Sequence, residues 1–235
     1  MINVKNISKK IKHNLIYENI SLHIKEQETY VLVGPNGIGK TSLLKSILGL
    51  YLVDSGSISV LGQVVSQKYK VNSNIGAFFD SAKMLPHSKI IDSLTHFTTL
   101  FNKSIYDIHE LIYNLHLENE LDKTYISLSS GNKRKVGLLI SLINDPKLLI
   151  WDEPFACLDP EMCLEIVDFI TLLRLSGKTI LLTSNNLFHV KNIFDKIGFF
   201  VKSNKIIEKN KNELLNNYSD KELNDVYFLI KQSIL

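Results

Sequence analysis

The loop GPNGIGKT at residues 34–41 constrains the fold of this chain more than any other stretch. It follows the short apolar run TYVLVG at 29–34 and precedes the apolar helical pattern SLLKSILGL at 42–50. Its glycines permit the backbone conformations that turn several N–H groups toward one anion, and the start of the next helix adds a positive dipole end. A strand, a glycine-rich loop and a helix in this order predict a phosphate-binding loop.

Two side chains of this loop have a defined chemistry in the motif G-x-x-x-x-G-K-T. Lys40 can reach the β- and γ-phosphates of a nucleoside triphosphate, and the hydroxyl of Thr41 can bind Mg²⁺. The alternative is a glycine-rich turn that matches by accident, and the strand and helix patterns on either side argue against it. We therefore expect the chain to bind ATP or GTP together with Mg²⁺.

An acidic pair, Asp152 and Glu153, ends a second apolar run, LLIWDEP at 148–154, and a third run is KTILLTS at 178–184. Such short, continuously apolar runs are typical of strands buried on both faces of a parallel sheet, and helical patterns follow all three. Parallel sheets bind ligands at the carboxyl ends of their strands. One acid can therefore support Mg²⁺ and the other can orient or deprotonate water, although a strand can also end in acids because it reaches solvent.

The remaining patterns predict an α/β chain with two additions. NISLHIK at 19–25 and GSISVLG at 56–62 alternate apolar and polar residues, as half-buried antiparallel strands do. Apolar residues at helical spacing, such as Ile90 with Leu94 and Ile108 with Ile112, predict helices between the first two buried strands. We expect one domain over 1–235, with a core at 1–81 and 146–235, a helical insert at about 82–145, a hairpin turning at Ser203-Asn204 and a short C-terminal helix.

The composition argues against several other classes of protein. A net charge of +3 on 235 residues is too small to indicate a nucleic-acid partner, so none is expected. Cys157 and Cys163 lack the spacing of metal ligands and predict two reduced thiols in a cytosolic protein. No run reaches the roughly 18 apolar residues of a membrane span, and the N-terminus shows no apolar signal region. Any work at a membrane would need a separate membrane partner.

A further motif, LSSGN at 128–132, begins the amphipathic helix KRKVGLLISL. On their own, its two serines are ordinary helix caps. Together with GPNGIGKT, with NDPKLLIWDEP and with CLDP, in that order, LSSGN resembles the signature motif of the ABC (ATP-binding cassette) ATPases. The resemblance implies a P-loop NTPase (RecA-like) core with an antiparallel β subdomain and an inserted α-helical subdomain, which binds ATP and Mg²⁺.

The resemblance also implies a role for individual residues. The signature serine and glycine of one subunit, here Ser129 and Gly131, would close over the γ-phosphate held by a second subunit, while Ser130 and Asn132 replace the usual glycine and glutamine. Glu153 would be the general base, Asp152 would support the metal and Asp159 would bridge the subunits. The phosphates of ATP and the Mg²⁺ would be held by the loop residues Gly34, Pro35, Asn36, Gly37, Ile38, Gly39, Lys40, Thr41 and Ser42.

The chain departs from the family pattern at two nucleotide-facing positions. IGAFFDSAKML at 75–85 is similar to the start of the Q-loop in the bacitracin- and lantibiotic-resistance exporters, and it carries Asp80 where most members have glutamine. Asp80 would sense the γ-phosphate or bind the metal. Ile11 falls where the family has an aromatic residue that stacks on adenine, so adenine would meet an apolar face without π-stacking.

A third departure lies in LLTSNN at 181–186, where the family carries a switch histidine. Asn185 takes that position, and Asn186 is expected to cap a following helix. An amide can donate a hydrogen bond to the γ-phosphate but cannot carry a proton. His189 lies four residues on, about 6 Å further along a helix, and is not expected to substitute. We therefore predict normal ATP binding and slow turnover.

The main interpretation is the ATP-binding subunit of an ABC transporter that powers export of a peptide, antibiotic or lipid-like substrate. It would lie in the cytoplasm on the inner face of the membrane, against a transmembrane permease and a second ABC subunit, identical or related. One alternative is a degenerate subunit that binds ATP and regulates a competent partner. Another is a soluble ABC ATPase acting on DNA or ribosomes, which the single Walker loop and the lack of sustained heptads disfavour. The transported molecule and the direction of transport do not follow from these residues.

Overall fold

The central sheet has six strands in the order β10-β9-β3-β8-β7-β6. The computed structural model describes residues 1–70, 72–80, 84–217 and 222–232. Neighbouring strands pair in parallel except the β9–β10 hairpin, which is antiparallel. The strands are β3 (Thr29–Val33), β6 (Ile75–Phe78), β7 (Leu148–Trp151), β8 (Thr179–Ser184), β9 (Lys196–Lys202) and β10 (Lys205–Asn210).

Every residue of β3, β7 and β8 is buried, as their continuous apolar sequences predicted. The register pairs Val33 with Ser184, and Trp151 with Leu182. The carboxyl ends of the three strands therefore lie side by side, which brings the phosphate loop, the acidic pair and the LLTSNN segment to one edge.

A second sheet is antiparallel, with the strand order β2-β1-β4-β5. Ile20, Leu22 and Ile24 alternate with exposed residues, which confirms the predicted half-buried strand. The helix after the phosphate loop packs with this sheet in one hydrophobic cluster through Leu43, Leu44 and other residues. These elements are β1 (Ile2–Ile11), β2 (Asn14–Ile24), α1 (Lys40–Ile47), β4 (Ser55–Val60) and β5 (Gln63–Val64).

The chain between β6 and β7 is helical, as predicted, and buries Ile90, Leu94, Ile108 and Ile112. Its last helix lies directly on β6, where a Cβ added to Gly76 would lie 2.0 Å from a backbone oxygen of that helix. The position near 82, where we placed the start of the insert, lies outside the described residues. The elements are α2 (Ile90–Leu100), a 3₁₀ turn (Ile105–Ile108), α3 (His109–Asn114) and α4 (Ser130–Leu142).

The predicted helix after β8 is wrong. Residues 187–193 form consecutive turns, in which Val190 N–H bonds to Leu187 and Ile193 N–H bonds to Val190. The side-chain oxygen of Asn186 accepts from the N–H of Phe188, so it closes a local turn where we expected a helix cap. The buried residues Leu187, Val190 and Ile193 are spaced by three, which fits these turns as well as a helix.

The C-terminal part confirms the predicted hairpin, whose strands end at Lys202 and resume at Lys205. No helix among the described residues is long and apolar enough to cross a membrane. Cys157 and Cys163 are both free thiols, the first exposed and the second buried. The last helices are α5 (Pro160–Leu175), which follows β7 as predicted, α6 (Lys211–Asn217) and α7 (Leu223–Gln232).

Candidate active site

The phosphate loop depends on two glycines with left-handed backbone. Gly37 has φ +80° and Gly39 has φ +113°, where an L side chain is strained. Gly39 immediately precedes α1, so the first free N–H groups of that helix face the loop. Lys40 is 5% exposed, and its Nζ donates to the carbonyl oxygens of Gly34 at 2.7 Å and Pro35 at 3.3 Å. The loop therefore encloses a buried cation beside a helix N-terminus, as an anion site requires.

The strand ends bring a hydroxyl and a carboxylate together across 111 residues of sequence. Thr41 Oγ1 donates to Asp152 Oδ2 at 2.7 Å, and Thr183 Oγ1 donates to Asp152 Oδ1 at 2.7 Å. Mg²⁺ prefers such hard oxygen ligands, and usually takes one or two from a protein and others from substrate phosphates and water. Thr41 and Asp152 fit this role, and the described residues contain no cluster of three His, Cys, Asp or Glu that would indicate another kind of metal site.

Glu153 is held at both its backbone and its side chain. Its φ is +49°, an uncommon value for a residue other than glycine, and its N–H donates to Thr183 Oγ1 at 2.9 Å. Its Oε2 accepts from the backbone N–H of Asn185 at 3.0 Å. Its Oε1 lies 3.1 Å from Lys40 Nζ in an ion contact without the alignment of a hydrogen bond. The carboxylate is thereby directed at the phosphate loop.

Asn185 also reaches the loop with its side chain, since its Nδ2 donates to Asn36 Oδ1 at 3.3 Å. His189 stacks on Phe155 with 5.5 Å between ring centres, and burial lowers the pKa of its imidazole. Within the described part of the chain, no hydrogen bond joins His189 to the phosphate loop. The structure thus brings Asn185, and not His189, to the position that faces the loop.

Asp80 is placed differently from the other predicted site residues. Its Oδ1 accepts from Arg134 at 2.8 Å, while its side chain is 77% exposed. Arg134 also donates to the backbone oxygen of Glu153 at 2.5 Å. Asp80 forms no hydrogen bond with Thr41 or Asp152 among the described contacts, so it meets the site through Arg134.

Sequence reasoning missed Thr183 and Arg134. Thr183 had a signal, because it lies two residues before Asn185 and side chains two apart share a face of a strand. Arg134 had none, since it stands in the basic run KRK, and nothing in such a run distinguishes a buried cation from an exposed one.

The three residues predicted to act across a subunit boundary have contacts within this chain. Ser129 caps α4 by accepting from Asn132 N–H at 3.1 Å, and Asp159 caps α5 by accepting from Met162 N–H at 2.8 Å. Gly131 is buried, and an added Cβ would lie 2.0 Å from the sulfur of Met162. None of the described hydrogen bonds joins these residues to the phosphate loop of the same chain.

The residue predicted to meet adenine lies at the end of β1. Ile11 is 37% exposed there. The side chain that approaches the phosphate loop is that of Ile16, because a Cβ added to Gly39 would lie 3.2 Å from it. A contact between Ile11 and adenine stays a prediction.

The fold and the site define a nucleotide-binding cassette of the P-loop type. The sequence profile of the family described as "ABC transporter" matches residues 17–156, which is more than half of the chain. The lantibiotic transport ATP-binding protein SrtF of Streptococcus pyogenes is 33% identical over 223 residues, covering 92% of this chain and 96% of that protein. The glutamate/aspartate import ATP-binding protein GltL of Escherichia coli is 30% identical over 217 residues, covering 88% and 90%. The chain therefore belongs to the ABC transporter family, as an ATP-binding subunit.

The structural comparison supports the same fold. The dimeric structure of MJ0796, a bacterial ABC transporter cassette, superposes with a TM-score of 0.81 at 20% identity and covers 90% of this chain and 99% of that one. The predicted P-loop core with its β and helical additions is confirmed as the fold of these cassettes. The family consists in general of ATPases that bind ATP or ADP, and dimeric cassettes are known within it.

Proposed function

We propose that this chain hydrolyses ATP and powers export through a separate membrane permease. The observation that carries the proposal is the arrangement of Thr41, Asp152 and Glu153 around the buried ammonium of Lys40. A carboxylate-supported hydroxyl, a second carboxylate and a phosphate loop are the parts that an ATPase of this class needs. GltL is an import protein by name, and SrtF is named only for lantibiotic transport. The direction of transport therefore rests on the resemblance of the segment around Asp80 to the resistance exporters.

Each residue near the loop has a distinct task in this proposal. Thr41 and Asp152 hold Mg²⁺, which supplies charge neutralisation on the phosphate oxygens when bound. Phosphate offers Lys40 a new anionic partner, and this frees Oε1 of Glu153. The backbone N–H of Asn185 keeps Oε2 in place, so Oε1 is the atom that takes the proton of the attacking water.

Asn185 is expected to slow this reaction. Its amide can donate one hydrogen bond to a γ-phosphate, but it cannot carry the positive charge of a histidine. Loss of one preorganised donor costs about 3–4 kcal/mol of barrier, and a partial replacement costs less.

Asn185→His tests this explanation by steady-state phosphate release. We expect the variant to have a higher kcat and a nearly unchanged KM. Asn186→His is the matched control, because Asn186 closes the neighbouring turn and does not contact the loop. A histidine at 185 that is no faster than asparagine contradicts the argument about this position.

A degenerate subunit that binds ATP and regulates a competent partner is the second candidate. The replacements Ile11, Asp80 and Asn185 favour it, whereas the position of Glu153 against the loop favours hydrolysis. Glu153→Gln separates the two functions, because it removes the base and keeps the size of the side chain. We expect the turnover of the assembly to fall at least about a hundredfold. Unchanged turnover would identify the chain as degenerate.

The partner surfaces follow from two further features. None of the described hydrogen bonds joins Ser129, Gly131 or Asp159 to the loop of their own chain, so we propose that they complete the site of a second ABC subunit. A groove of about 880 Å³ between β6 and the helical insert carries apolar side chains, among them Phe78 and Phe97. It fits a short apolar segment of a permease, which would hold the chain on the inner face of the membrane.

Co-expression with each membrane protein that is encoded next to this chain tests that placement. We expect the chain to fractionate with the membrane only when the permease is present. Co-purification with ribosomes or DNA instead would support the soluble ABC ATPase that the sequence disfavoured.

A further inference from the structure

Arg134 is a buried cation that the proposed chemistry has not yet used. It lies near the start of α4 and is 6% exposed. Its two terminal nitrogens have different partners, since Nη1 donates to the backbone oxygen of Glu153 at 2.5 Å and Nη2 donates to Asp80 Oδ1 at 2.8 Å. The planar guanidinium can make both bonds at once, which a lysine cannot.

The direction of the Arg134 side chain is set by β6. Its guanidinium carbon lies 5.6 Å from the centre of the Phe78 ring. Gly137, one turn further along α4, allows this contact, because an added Cβ would lie 2.6 Å from the same ring. The backbone oxygen of Phe78 also accepts from the N–H of Asp152 at 2.9 Å. Arg134 is therefore packed against the strand that adjoins the acidic pair.

Glu153 is the residue whose conformation depends most on the hydrogen bond from Arg134. Its left-handed backbone, with φ +49°, persists only where its surroundings hold it. Its carbonyl is held by Arg134 and by the N–H of Ala156 at 3.2 Å, and its N–H is held by Thr183. Without Arg134 the backbone can relax, and the carboxylate moves with it. A displacement of about 1 Å at a catalytic group can cost about a hundredfold in rate.

We propose that Arg134 is a positioning residue for Glu153 and that Asp80 orients it. Asp80 borders the proposed permease groove. A displacement of the backbone at Asp80 would then move the guanidinium of Arg134, and this movement would displace Glu153. This inference rests on the proposed function, in which Glu153 takes the proton from water. It assigns to Asp80 a part that needs no direct contact with the metal or the γ-phosphate.

The test combines ATP turnover with hydrogen–deuterium exchange of the purified chain. In Arg134→Gln we expect kcat to fall about tenfold, as for loss of one charged hydrogen bond, and KM to stay within about twofold. Faster amide exchange is expected in the peptide spanning 151–157. Arg134→Lys keeps the charge but not the two-pronged geometry, so its kcat should stay well below that of the wild type.

Lys103→Gln is the matched control. Lys103 Nζ donates to the carbonyl of Ile143 at 2.9 Å, just beyond the opposite end of α4. Like Arg134→Gln, the substitution Lys103→Gln removes a cation that donates to a backbone carbonyl, but this carbonyl is remote from Glu153. We expect Lys103→Gln to change stability without changing kcat or exchange in 151–157. A merely structural Arg134 would behave in the same way.

Asp80→Asn completes a double-mutant cycle. Alone it should lower kcat less than Arg134→Gln does, by about threefold, because a neutral partner orients the guanidinium less firmly. Combined with Arg134→Gln it should add nothing, since both changes act through one contact. Additive effects would overturn the part assigned to Asp80.

The outcomes separate this inference from the proposed function. Unchanged exchange in 151–157 for Arg134→Gln overturns the positioning role, whatever the turnover. A wild-type chain that shows no hydrolysis, together with faster exchange in the variant, means that the proposed function fails while the placement of Glu153 by Arg134 is supported. Where the wild-type chain hydrolyses ATP, faster exchange with unchanged kcat also overturns the positioning role.

Discussion

Thr183→Val is the substitution whose effect the structure defines most closely. Thr183 is fully buried, and its hydroxyl donates to Asp152 Oδ1 at 2.7 Å and accepts from the N–H of Glu153 at 2.9 Å. Valine has nearly the same shape, so the change removes both hydrogen bonds and leaves little empty space. The effect on stability therefore reports the two polar contacts with little contribution from packing.

The magnitude follows from the two contacts. A hydrogen bond to a charged group contributes about 1.5–3 kcal/mol, and an N–H left buried without a partner costs about 1–3 kcal/mol. The structure can relax around the valine and reduce both of these losses, so we expect the free energy of unfolding to fall by about 3 kcal/mol. In a domain of this size that corresponds to a decrease in Tm of about 6–12 °C. Thr183→Ser keeps the hydroxyl and loses one methyl group, so it should cost only about 1 kcal/mol.

The assay is urea unfolding followed by the fluorescence of Trp151, the single tryptophan, which is fully buried in the adjoining strand β7. Nucleotide and Mg²⁺ are left out, because a ligand that binds the folded state would raise the apparent stability. Equal denaturant slopes in the variants are required before the midpoints are compared. If the free energy of unfolding of Thr183→Val lies within about 1 kcal/mol of that of Thr183→Ser, these two hydrogen bonds do not stabilise the site.

Two further predictions concern packing and pH. Gly76→Ala should lower the free energy of unfolding in urea by about 3 kcal/mol or more, because the new Cβ would lie 2.0 Å from the backbone oxygen of Ser141, which cannot swing away. His189 should make stability depend on pH, because burial lowers the pKa of its imidazole. His189 then binds a proton more readily in the unfolded chain than in the folded chain. Its contribution to stability is therefore fully present above the ordinary pKa of 6.5 and declines as the pH falls below that value. His189→Phe, which preserves stacking on Phe155, should flatten that part of the urea-stability profile.

Matched variants decide both predictions. Gly131→Ala also meets a close neighbour, but that neighbour is the flexible end of Met162, so the cost should be clearly smaller than at Gly76. Equal costs at the two glycines would contradict the distinction between backbone and side-chain obstacles. His13→Phe changes an exposed histidine and should leave the pH profile as it is. A decline in acid that persists in His189→Phe would have to come from another group.

Local signals were sufficient for most of the fold. The three continuously apolar runs became fully buried strands, and alternation in the opening segment became a half-buried sheet. The helix predicted at 187–193 was wrong for a physical reason. Apolar residues spaced by three satisfy a run of turns and a helix equally well, and the choice depended on whether Asn186 capped a helix or closed its own turn.

The candidate site likewise contains residues that the sequence identified and contacts that it did not predict. Lys40, Thr41, Asp152 and Glu153 were identified from sequence because each stands at a fixed place in a short motif. The left-handed backbone of Glu153 and its carbonyl contact with Arg134 had no such signal. The sequence suggested Asp80 as a ligand of the metal or of the γ-phosphate, whereas its partner in the structure is the guanidinium of Arg134 on α4.

The sequence alone determined that a glycine-rich loop follows a buried strand, and that acids end the next one, because strand period and loop glycines are encoded within a few residues. Only the tertiary structure decided which side chains meet. Thr41 and Asp152 are 111 residues apart and touch because the register of three parallel strands brings their ends together. Arg134 reaches Glu153 because Gly137 lets β6 approach α4. Such pairs depend on how elements cross, and no short window of sequence contains that information.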